Sequence, residues 1–258
     1  MYQLNLNLFL TFFWLFLTAF LLLFGIWILI DCQCNISLFN FFIKHFNLSM
    51  KLDKQGSIPK SYSYHFYLIG LVINLILFVF HISFVFLFIF VLCHLGRRLY
   101  ECLYIQQYRS KMTLFEYLFE LIHYPCVGLT IIADYQYSYT NLSLCKYLFG
   151  VILFVYASYF QYHSHLTLAK LLRNSNEFYP IPNGYWIFEY LTSPNVLLEF
   201  VIYFSILIAS HRTSAMTSLI VWIFVRQTFT ALFNHRWYLR YYRNSYPSKR
   251  CALIPFLI

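Results

Sequence analysis

Long runs of residues without a charge follow one another along this 258-residue chain. The first covers residues 7 to about 30, and another continues for thirty residues from Phe66 to Leu95. About twenty apolar residues are enough for one helix to cross the ~30 Å hydrocarbon layer of a membrane. Because 61% of the residues are hydrophobic and only 10% are charged, the chain lacks the polar surface of a water-soluble domain. The sequence therefore predicts an all-α, polytopic membrane protein that forms one integral-membrane domain over residues 1–258.

The number of spans depends on the run from Phe66 to Leu95. At 1.5 Å per residue this run is about 45 Å long, too long for one upright helix and short for two. One helix would give six spans and would put loops 31–63 and 97–112, each with four Lys or Arg, on opposite sides. A hairpin that turns near residues 81–83 would give seven spans and put both loops on the side of the closing segment, residues 234–258. Since Lys and Arg are enriched in cytoplasmic loops, we expect about seven spans and a cytoplasmic C-terminus.

The remaining predicted spans are apolar runs bounded by polar loops, at residues 113–133, 144–172, 196–209 and 215–233. The net charge of +9 lies in the loops rather than on one face, so it indicates membrane orientation, and no nucleic-acid partner is expected. The seven cysteines contain no paired Cys-x-x-Cys motifs, so no metal is expected. No Walker A or Gly-x-Gly-x-x-Gly pattern occurs, so any nucleotide is expected to bind inside the helical bundle.

Polar side chains near the ends of the apolar runs are the candidate site residues, because charged groups at membrane depth usually face a cavity or a partner. Arg97 and Arg98 close the third predicted span. Arg98 and Glu101 share a helix face, which fits either a structural ion pair or an arginine that contacts a cofactor phosphate. Gln161 and His165 lie one turn apart at the end of the fifth span, where they form a polar wall suited to a nucleotide.

Six short sequence motifs lie between residues 58 and 258. They are Ile58-Pro-Lys-x-Tyr-x-x-His-Phe-Tyr67, Arg97-Arg-Leu-Tyr-Glu-Cys-Leu-Tyr104, Gln161-Tyr-x-x-His165, Ile181-Pro-x-Gly184, Glu189-Tyr-x-x-Ser-Pro-Asn195, and the closing segment with His235-x-x-Tyr238, Tyr246-Pro-x-x-Arg250 and Ala252-Leu-Ile-Pro-Phe256. Together they resemble the polyprenol reductase branch of the steroid 5α-reductase family. The first two segments are the ones that distinguish this branch from the steroid and enoyl-CoA branches.

The resemblance implies a multi-pass protein of the endoplasmic-reticulum membrane that binds NADPH on the cytoplasmic side of the bundle, with a catalytic part at about residues 100–258. It implies reduction of the α-isoprene double bond of a polyprenol-type lipid, on the path to dolichol for protein N-glycosylation. Arg97 and Arg98 are candidate cofactor contacts from their position. The further cofactor contacts carried over by motif are Gln161, His165, Arg173, Asn195, His235, Tyr238 and Arg250.

A hydride adds readily only to an electron-poor double bond, which favours a conjugated aldehyde over an allylic alcohol. We therefore expect the acceptor to be polyprenal, which is converted to dolichal while a donor stabilises the oxyanion that develops at the aldehyde. Steroid reductases have a tyrosine as carbonyl donor directly after the histidine that precedes the third-span arginine, whereas this chain has Leu95 there. The candidate donors here are His235, Tyr238, Tyr64 and His65.

Two alternatives remain open from the sequence. The chain could reduce a steroid enone or a very-long-chain enoyl thioester instead. It could also be a non-catalytic lipid carrier, although a cavity that only holds lipid needs no clustered Arg, His and Asn.

Overall fold

The computed structural model describes residues 2–34, 58–81, 85–137, 144–177, 179–182, 186–247 and 249–253. The described part contains seven α-helices: α1 (Tyr2–Cys34), α2 (Tyr64–Phe80), α3 (Val85–Tyr100), α4 (Leu114–Tyr137), α5 (Leu144–Asn174), α6 (Pro194–Ile208) and α7 (Ser214–Tyr242). Short 3₁₀ turns cover Lys60–Ser63, Trp186–Glu189 and Arg243–Ser245, and a π-helical turn, Glu101–Ile105, continues α3. The predicted all-α polytopic fold is confirmed.

Five helical segments are long and apolar enough to cross a membrane by length and composition: Asn5–Ile26, Lys60–Phe80, Leu114–Asp134, Leu144–Asn174 and Ser214–Ser245. The helices α3 and α6 are shorter, with 16 and 15 residues. Large apolar side chains such as Phe12, Leu23, Phe80 and Ile152 are exposed on the outside of the bundle. An apolar surface of this extent fits a protein that faces lipid.

The uncharged run that starts at Phe66 is a helical hairpin, as the distribution of loop charges predicted. Helix α2 ends at Phe80, and His81 leaves the helix with φ −131° and ψ 52°. Helix α3 begins at Val85, and residues 82–84 of the predicted turn lie outside the described residues. The rings of Phe78 and Phe88, 6.1 Å apart between centroids, join the two helices.

The described ends of the two basic loops lie side by side at one end of the bundle. Strand β1 (Ile58–Pro59) pairs antiparallel with β2 (Lys111–Met112), so the segment before α2 lies beside the segment before α4. The N–H of Lys60 extends this contact by donating to the carbonyl oxygen of Ser110 at 3.1 Å. This arrangement agrees with the seven-span prediction, which put both loops on the same side.

Helix α7 continues nine residues beyond the predicted end at residue 233 and stops at Tyr242. The first part of the closing segment is therefore helical. Trp237 and Tyr238 are buried there against Tyr246 and Tyr179, which gives the polar, aromatic end of the helix a packing surface of its own. Arg243, with a φ of 47°, ends the helix.

Six of the seven helices surround one central space. Helix α2 packs between α3 and α4, α5 packs along α6, and α6 packs beside α7. Helix α3 meets α5 where the ring of Phe90 lies against those of Tyr147 and Phe154. Helix α1 lies outside this arrangement, against α4 and α7.

Hydrogen bonds attach α1 to both of its neighbours. The Nε1 of Trp14 donates to Oγ1 of Thr130 on α4 at 3.0 Å. The side-chain oxygen of Asn7 accepts from the main-chain N–H of Ala215, in the first turn of α7, at 3.1 Å. An amide group that caps the free N–H groups of another helix fixes both the depth and the rotation of α1.

Candidate active site

A buried glutamate organises the end of α3. Glu101 has no exposed surface, and its carboxylate accepts hydrogen bonds from Arg97 and Arg98 of the preceding turn. Its Oε2 also lies 2.7 Å from Nδ1 of His165 on α5. A buried carboxylate is stable only when it is paired in this way. The Arg98–Glu101 ion pair that the spacing indicated is therefore present, and Glu101 begins a π-helical turn, a feature frequent at functional sites.

A second set of hydrogen bonds continues from α3 across α5 to α6. The side-chain oxygen of Gln161 accepts from Arg97, and its nitrogen donates to Glu199 at 2.5 Å and to the main-chain oxygen of Asn195 at 3.1 Å. The other carboxylate oxygen of Glu199 lies 3.1 Å from Nε2 of His94. Three helices that are distant in sequence are thus joined by one polar network at the centre of the bundle.

An inner cavity of about 230 Å³ lies within the ring of helices and has lining residues from α2 to α7. Its wall combines apolar side chains with groups that can donate protons or carry charge, including Tyr67, Glu120, His123, Glu199 and Arg226. Arg226 of α7 and Glu120 of α4 form an ion pair in this wall. Such groups inside a membrane bundle indicate a functional site.

An outer cavity of about 260 Å³ lies next to the inner one, towards the closing segment. Its wall includes Gln107, Thr192, Asn234 and Tyr238, from the loop after α3, the start of α6 and the end of α7. The two cavities share five lining residues, namely Lys60, Arg98, Tyr108, His165 and Asn195. They are therefore two adjoining compartments of one site.

The loop between α3 and α4 is held firmly over this site. Arg109 donates to the main-chain oxygens of Leu172 at 2.5 Å, Ser175 at 2.7 Å and Glu177, around the end of α5. The neighbouring Tyr108 donates to Sγ of Cys102 at 2.9 Å, and burial raises the pKa of Tyr108 well above its ordinary value. The phenol in the shared wall is therefore a neutral hydrogen-bonding group.

The residues of the closing segment gather around Thr192. Its hydroxyl lies 2.6 Å from Nδ1 of His235 and 2.6 Å from the hydroxyl of Tyr246. The guanidinium of Arg250 lies 5.6 Å from the centre of the Tyr246 ring and donates to the main-chain oxygen of Pro182 at 3.0 Å. Because Thr192 lines the outer cavity, this cluster supports the cavity wall from behind.

The structure brings most, but not all, of the expected site residues together. Arg98, Gln161, His165, Asn195 and Tyr238 line one or both cavities, and Arg97 contacts Gln161. Four others line neither cavity, namely His235, Arg250, Tyr64 and His65. Of these, His235 and Arg250 lie in the Thr192 cluster. The ring of His65 bonds instead to the hydroxyl of Tyr117 at 2.9 Å. Arg173 is exposed at the end of α5.

Sequence reasoning missed several cavity residues. Tyr67, Glu120, His123 and Arg226 all line the inner cavity, and the sequence analysis gave none of them a role in the site. A usable signal existed for three of them, since Glu120, His123 and Arg226 are ionisable residues within apolar runs.

The amino-acid sequence of this chain is similar to those of several known proteins. A family model described as 3-oxo-5-alpha-steroid 4-dehydrogenase matches residues 110–258. The polyprenal reductase of Rattus norvegicus is 33% identical over 186 residues, which cover 66% of this chain and 56% of the rat protein. That of Homo sapiens is 31% identical over 186 residues, 66% of this chain and 58% of the human protein. That of Saccharomyces cerevisiae is 31% identical over 208 residues, 80% of this chain and 77% of the yeast protein.

The chain thus spans little more than half the length of the rat and human relatives. The matches agree with the motif resemblance, because relatives in several species carry the name polyprenal reductase. The resemblance to this branch is therefore confirmed. With a matched region that covers α4 to α7 and most of both cavities, the chain belongs to the 3-oxo-5-alpha-steroid 4-dehydrogenase family.

Proposed function

We propose that this protein reduces the α-isoprene double bond of polyprenal to give dolichal, with NADPH as the reductant. The observation that carries the proposal is the pair of adjoining cavities, which share Arg98, His165 and Asn195. A two-substrate reduction needs one compartment for each reactant and a common wall where they meet. The name of the relatives in rat and yeast, polyprenal reductase, supports the choice of acceptor.

The residues of the outer cavity fit a nicotinamide dinucleotide. Thr192 and Asn234 offer a hydroxyl and an amide to ribose or carboxamide groups, and Tyr238 offers a flat ring. Arg98 and Lys60 supply positive charge for phosphate oxygens. The Nε of Arg98 is buried and has no hydrogen-bond partner among the described residues, so this guanidinium retains a donor for a ligand. When bound, the reduced nicotinamide supplies the hydride.

Other predicted contacts have supporting roles in this proposal. Arg97 orients Gln161, and His235 and Arg250 support the outer wall through Thr192 and Tyr246. Arg173 remains a proposed contact for an exposed part of the cofactor. Because Lys60 lines both cavities and Tyr67 the inner one, we extend the proposed catalytic part from residues 100–258 to include α2.

The inner cavity suits the head of the lipid. Apolar side chains such as Phe66, Met112 and Ile223 line it beside the polar groups, so an isoprene unit and an aldehyde both find matching surfaces. A space of about 230 Å³ holds the head of a polyprenal but not its whole chain, which extends into the bilayer. The six surrounding helices shield the aldehyde from bulk water, which strengthens the hydrogen bonds made to it.

The proposed reaction adds a hydride to C3 and a proton to C2 of the conjugated aldehyde, and it consumes one NADPH per double bond. The described parts of the two basic loops and of the closing segment lie at the same end of the bundle, which supports a cytoplasmic position for the outer cavity and the C-terminus. We propose that the protein lies in the endoplasmic-reticulum membrane, where it serves dolichol synthesis for N-glycosylation.

The test is a reduction assay on the full chain in proteoliposomes. Polyprenal or polyprenol is supplied with NADPH or NADH, and the saturated product is followed by mass spectrometry. We expect product from polyprenal with NADPH. Direct reduction of polyprenol without an aldehyde intermediate would reject the aldehyde mechanism. Reduction of a steroid enone or an enoyl thioester instead would reject the substrate, and no reduction of any acceptor would favour a lipid carrier.

A further inference from the structure

The side chain of Tyr67 lines the inner cavity and contacts a buried cation, Arg98. It lies in the first turn of α2, is 8% exposed and lines the inner cavity. Nη2 of Arg98 donates to its hydroxyl oxygen at 2.9 Å, and Cζ of Arg98 lies 5.0 Å from the centre of its ring. The two side chains thus form a fixed pair between α2 and α3.

This pairing changes what the Tyr67 hydroxyl can do. A phenol oxygen that accepts from a guanidinium keeps its own O–H for another partner. The nearby positive charge draws electron density from the oxygen, which makes the O–H a stronger hydrogen-bond donor. Glu101 holds Arg98 from the other side, so the guanidinium cannot turn away from the phenol without breaking a buried ion pair.

The pair also lies beside Leu95, the position at which steroid reductases have the tyrosine that donates to the substrate carbonyl. Leu95 and Arg98 are one turn apart on α3, and Leu95 is fully buried. A Cβ built on Gly70 would lie 3.6 Å from Cδ1 of Leu95, so the turn of α2 that follows Tyr67 faces Leu95 directly. A hydroxyl that α3 lacks at residue 95 is therefore available nearby from α2.

We propose that Tyr67 is the catalytic residue that donates a hydrogen bond to the carbonyl oxygen of the substrate, and that Arg98 positions it. The inference rests on the proposed function, because it assumes a conjugated carbonyl acceptor. A bound reduced nicotinamide would supply the hydride. As hydride adds to the β-carbon, the π electrons of the C=C bond shift and negative charge develops on the carbonyl oxygen. The Tyr67 O–H stabilises this charge and keeps its proton, and the enolate then takes a proton from water at the α-carbon.

The other candidate donors fit this role less well. Tyr64 and His65, neighbours of Tyr67 on α2, line neither cavity, and Tyr238 lines only the outer one. Tyr124 and Tyr203 line the inner cavity, but within the described residues neither makes a hydrogen bond to an arginine. Tyr67 alone among these groups combines a place in the inner cavity with a hydrogen bond from a cation.

The test compares the wild-type protein with Tyr67→Phe, which removes one oxygen and keeps the ring. Loss of one donor to a developing oxyanion lowers kcat by about 10²–10³-fold, so we expect that decrease with KM and cofactor affinity changed less than about threefold. Hydride transfer should become rate-limiting, so deuterium in place of the transferred hydrogen should give a larger isotope effect in the variant. The control is Tyr147→Phe, which removes a phenol of α5 that packs on Phe90 outside both cavities.

A second variant separates catalysis from packing. Replacing Tyr67 with 3,5-difluorotyrosine keeps the hydrogen bond from Arg98 but makes the phenol more acidic. A donor to the oxyanion then gives a kcat and a pH profile that differ from those of the wild type. A phenol that only supports the structure gives the wild-type profile, which would reject the proposal even if Tyr67→Phe were poorly folded.

The acceptors for these assays are polyprenal, a steroid enone and an enoyl thioester, because each carries a conjugated carbonyl. If the wild type reduces only the enone or the thioester, the proposed function fails, and the role of Tyr67 is decided on that substrate. If Tyr67→Phe keeps the wild-type kcat on polyprenal, the role of Tyr67 fails and the proposed function stands. If the wild type reduces none of the three, both are rejected.

Discussion

Nδ1 of His165 lies 2.7 Å from Oε2 of Glu101 and 2.8 Å from Nη1 of Arg98. These contacts fix an imidazole of α5 against the ion pair at the end of α3. Since His165 and Arg98 line both cavities, the hydrogen bonds that hold the bundle together also build the wall between the two compartments.

Replacing His165 should weaken cofactor binding. His165→Ala removes a side chain from the shared wall. If the proposed cofactor NADPH contacts it there, loss of one such contact corresponds to about a tenfold rise in the KM for NADPH. The matched control is His163→Ala, since His163 lies two residues away on the same helix but is exposed. Equal effects of the two substitutions in steady-state assays would show that the shared wall does not bind the cofactor.

Neutralising Glu101 should destabilise the whole bundle. Glu101→Gln leaves the buried Arg98 without its carboxylate partner, and breaking a buried ion pair in this way costs about 3–5 kcal/mol. The free energy of unfolding can be measured by denaturant titration in mixed micelles. Glu177→Gln is the control, because Glu177 is exposed and its bond from the Tyr242 hydroxyl should contribute less than about 1 kcal/mol. A Glu101→Gln protein as stable as the control would contradict this account of the site.

The Arg226–Glu120 pair allows a double-mutant cycle. Arg226→Gln or Glu120→Gln alone leaves one charge in the inner cavity wall without its partner, so each should lower stability by about 3–5 kcal/mol. The double substitution leaves no unpaired charge, so it should be more stable than the sum of the two losses predicts. Strictly additive losses in the unfolding free energy would mean that the two side chains do not interact.

Arg109 should control access to the outer cavity. Arg109→Ala removes the hydrogen bonds that hold the loop before α4 to the end of α5, so the loop should become sensitive to limited proteolysis. The KM for NADPH should rise at least severalfold because Tyr108 and Ser110 of this loop line the outer cavity. Lys170→Ala, at an exposed position of α5 that lines neither cavity, is the control. Unchanged proteolysis of Arg109→Ala would show that the loop is held by other contacts.

The fold was predictable where a local property of the chain determines it. The lengths of the apolar runs and the positions of the Lys and Arg residues predicted seven helices and the hairpin after Phe66. The end of α7 was not predictable in this way. Its last turns are stable because Trp237 and Tyr238 pack on Tyr179 and Tyr246, which lie outside the helix in sequence.

The site was predictable only in part for the same reason. The contact of Arg98 with Glu101 follows from helical spacing, but the contact of Arg98 with Tyr67 depends on how α2 and α3 pack. The motif at the start of α2 contains His65 and Tyr67 together. Successive helical residues point about 100° apart, so only the packed structure decides which of them faces the cavity.

The hydrogen bond between Asn7 and Ala215 joins residues that are 208 positions apart in the chain. A ribosome that delivers the helices in order releases α1 into the bilayer long before α7 has been synthesised. During that interval α1 can pack only on α4, so its docking is completed late in assembly. Truncation or slow insertion of α7 would leave α1 held by α4 alone.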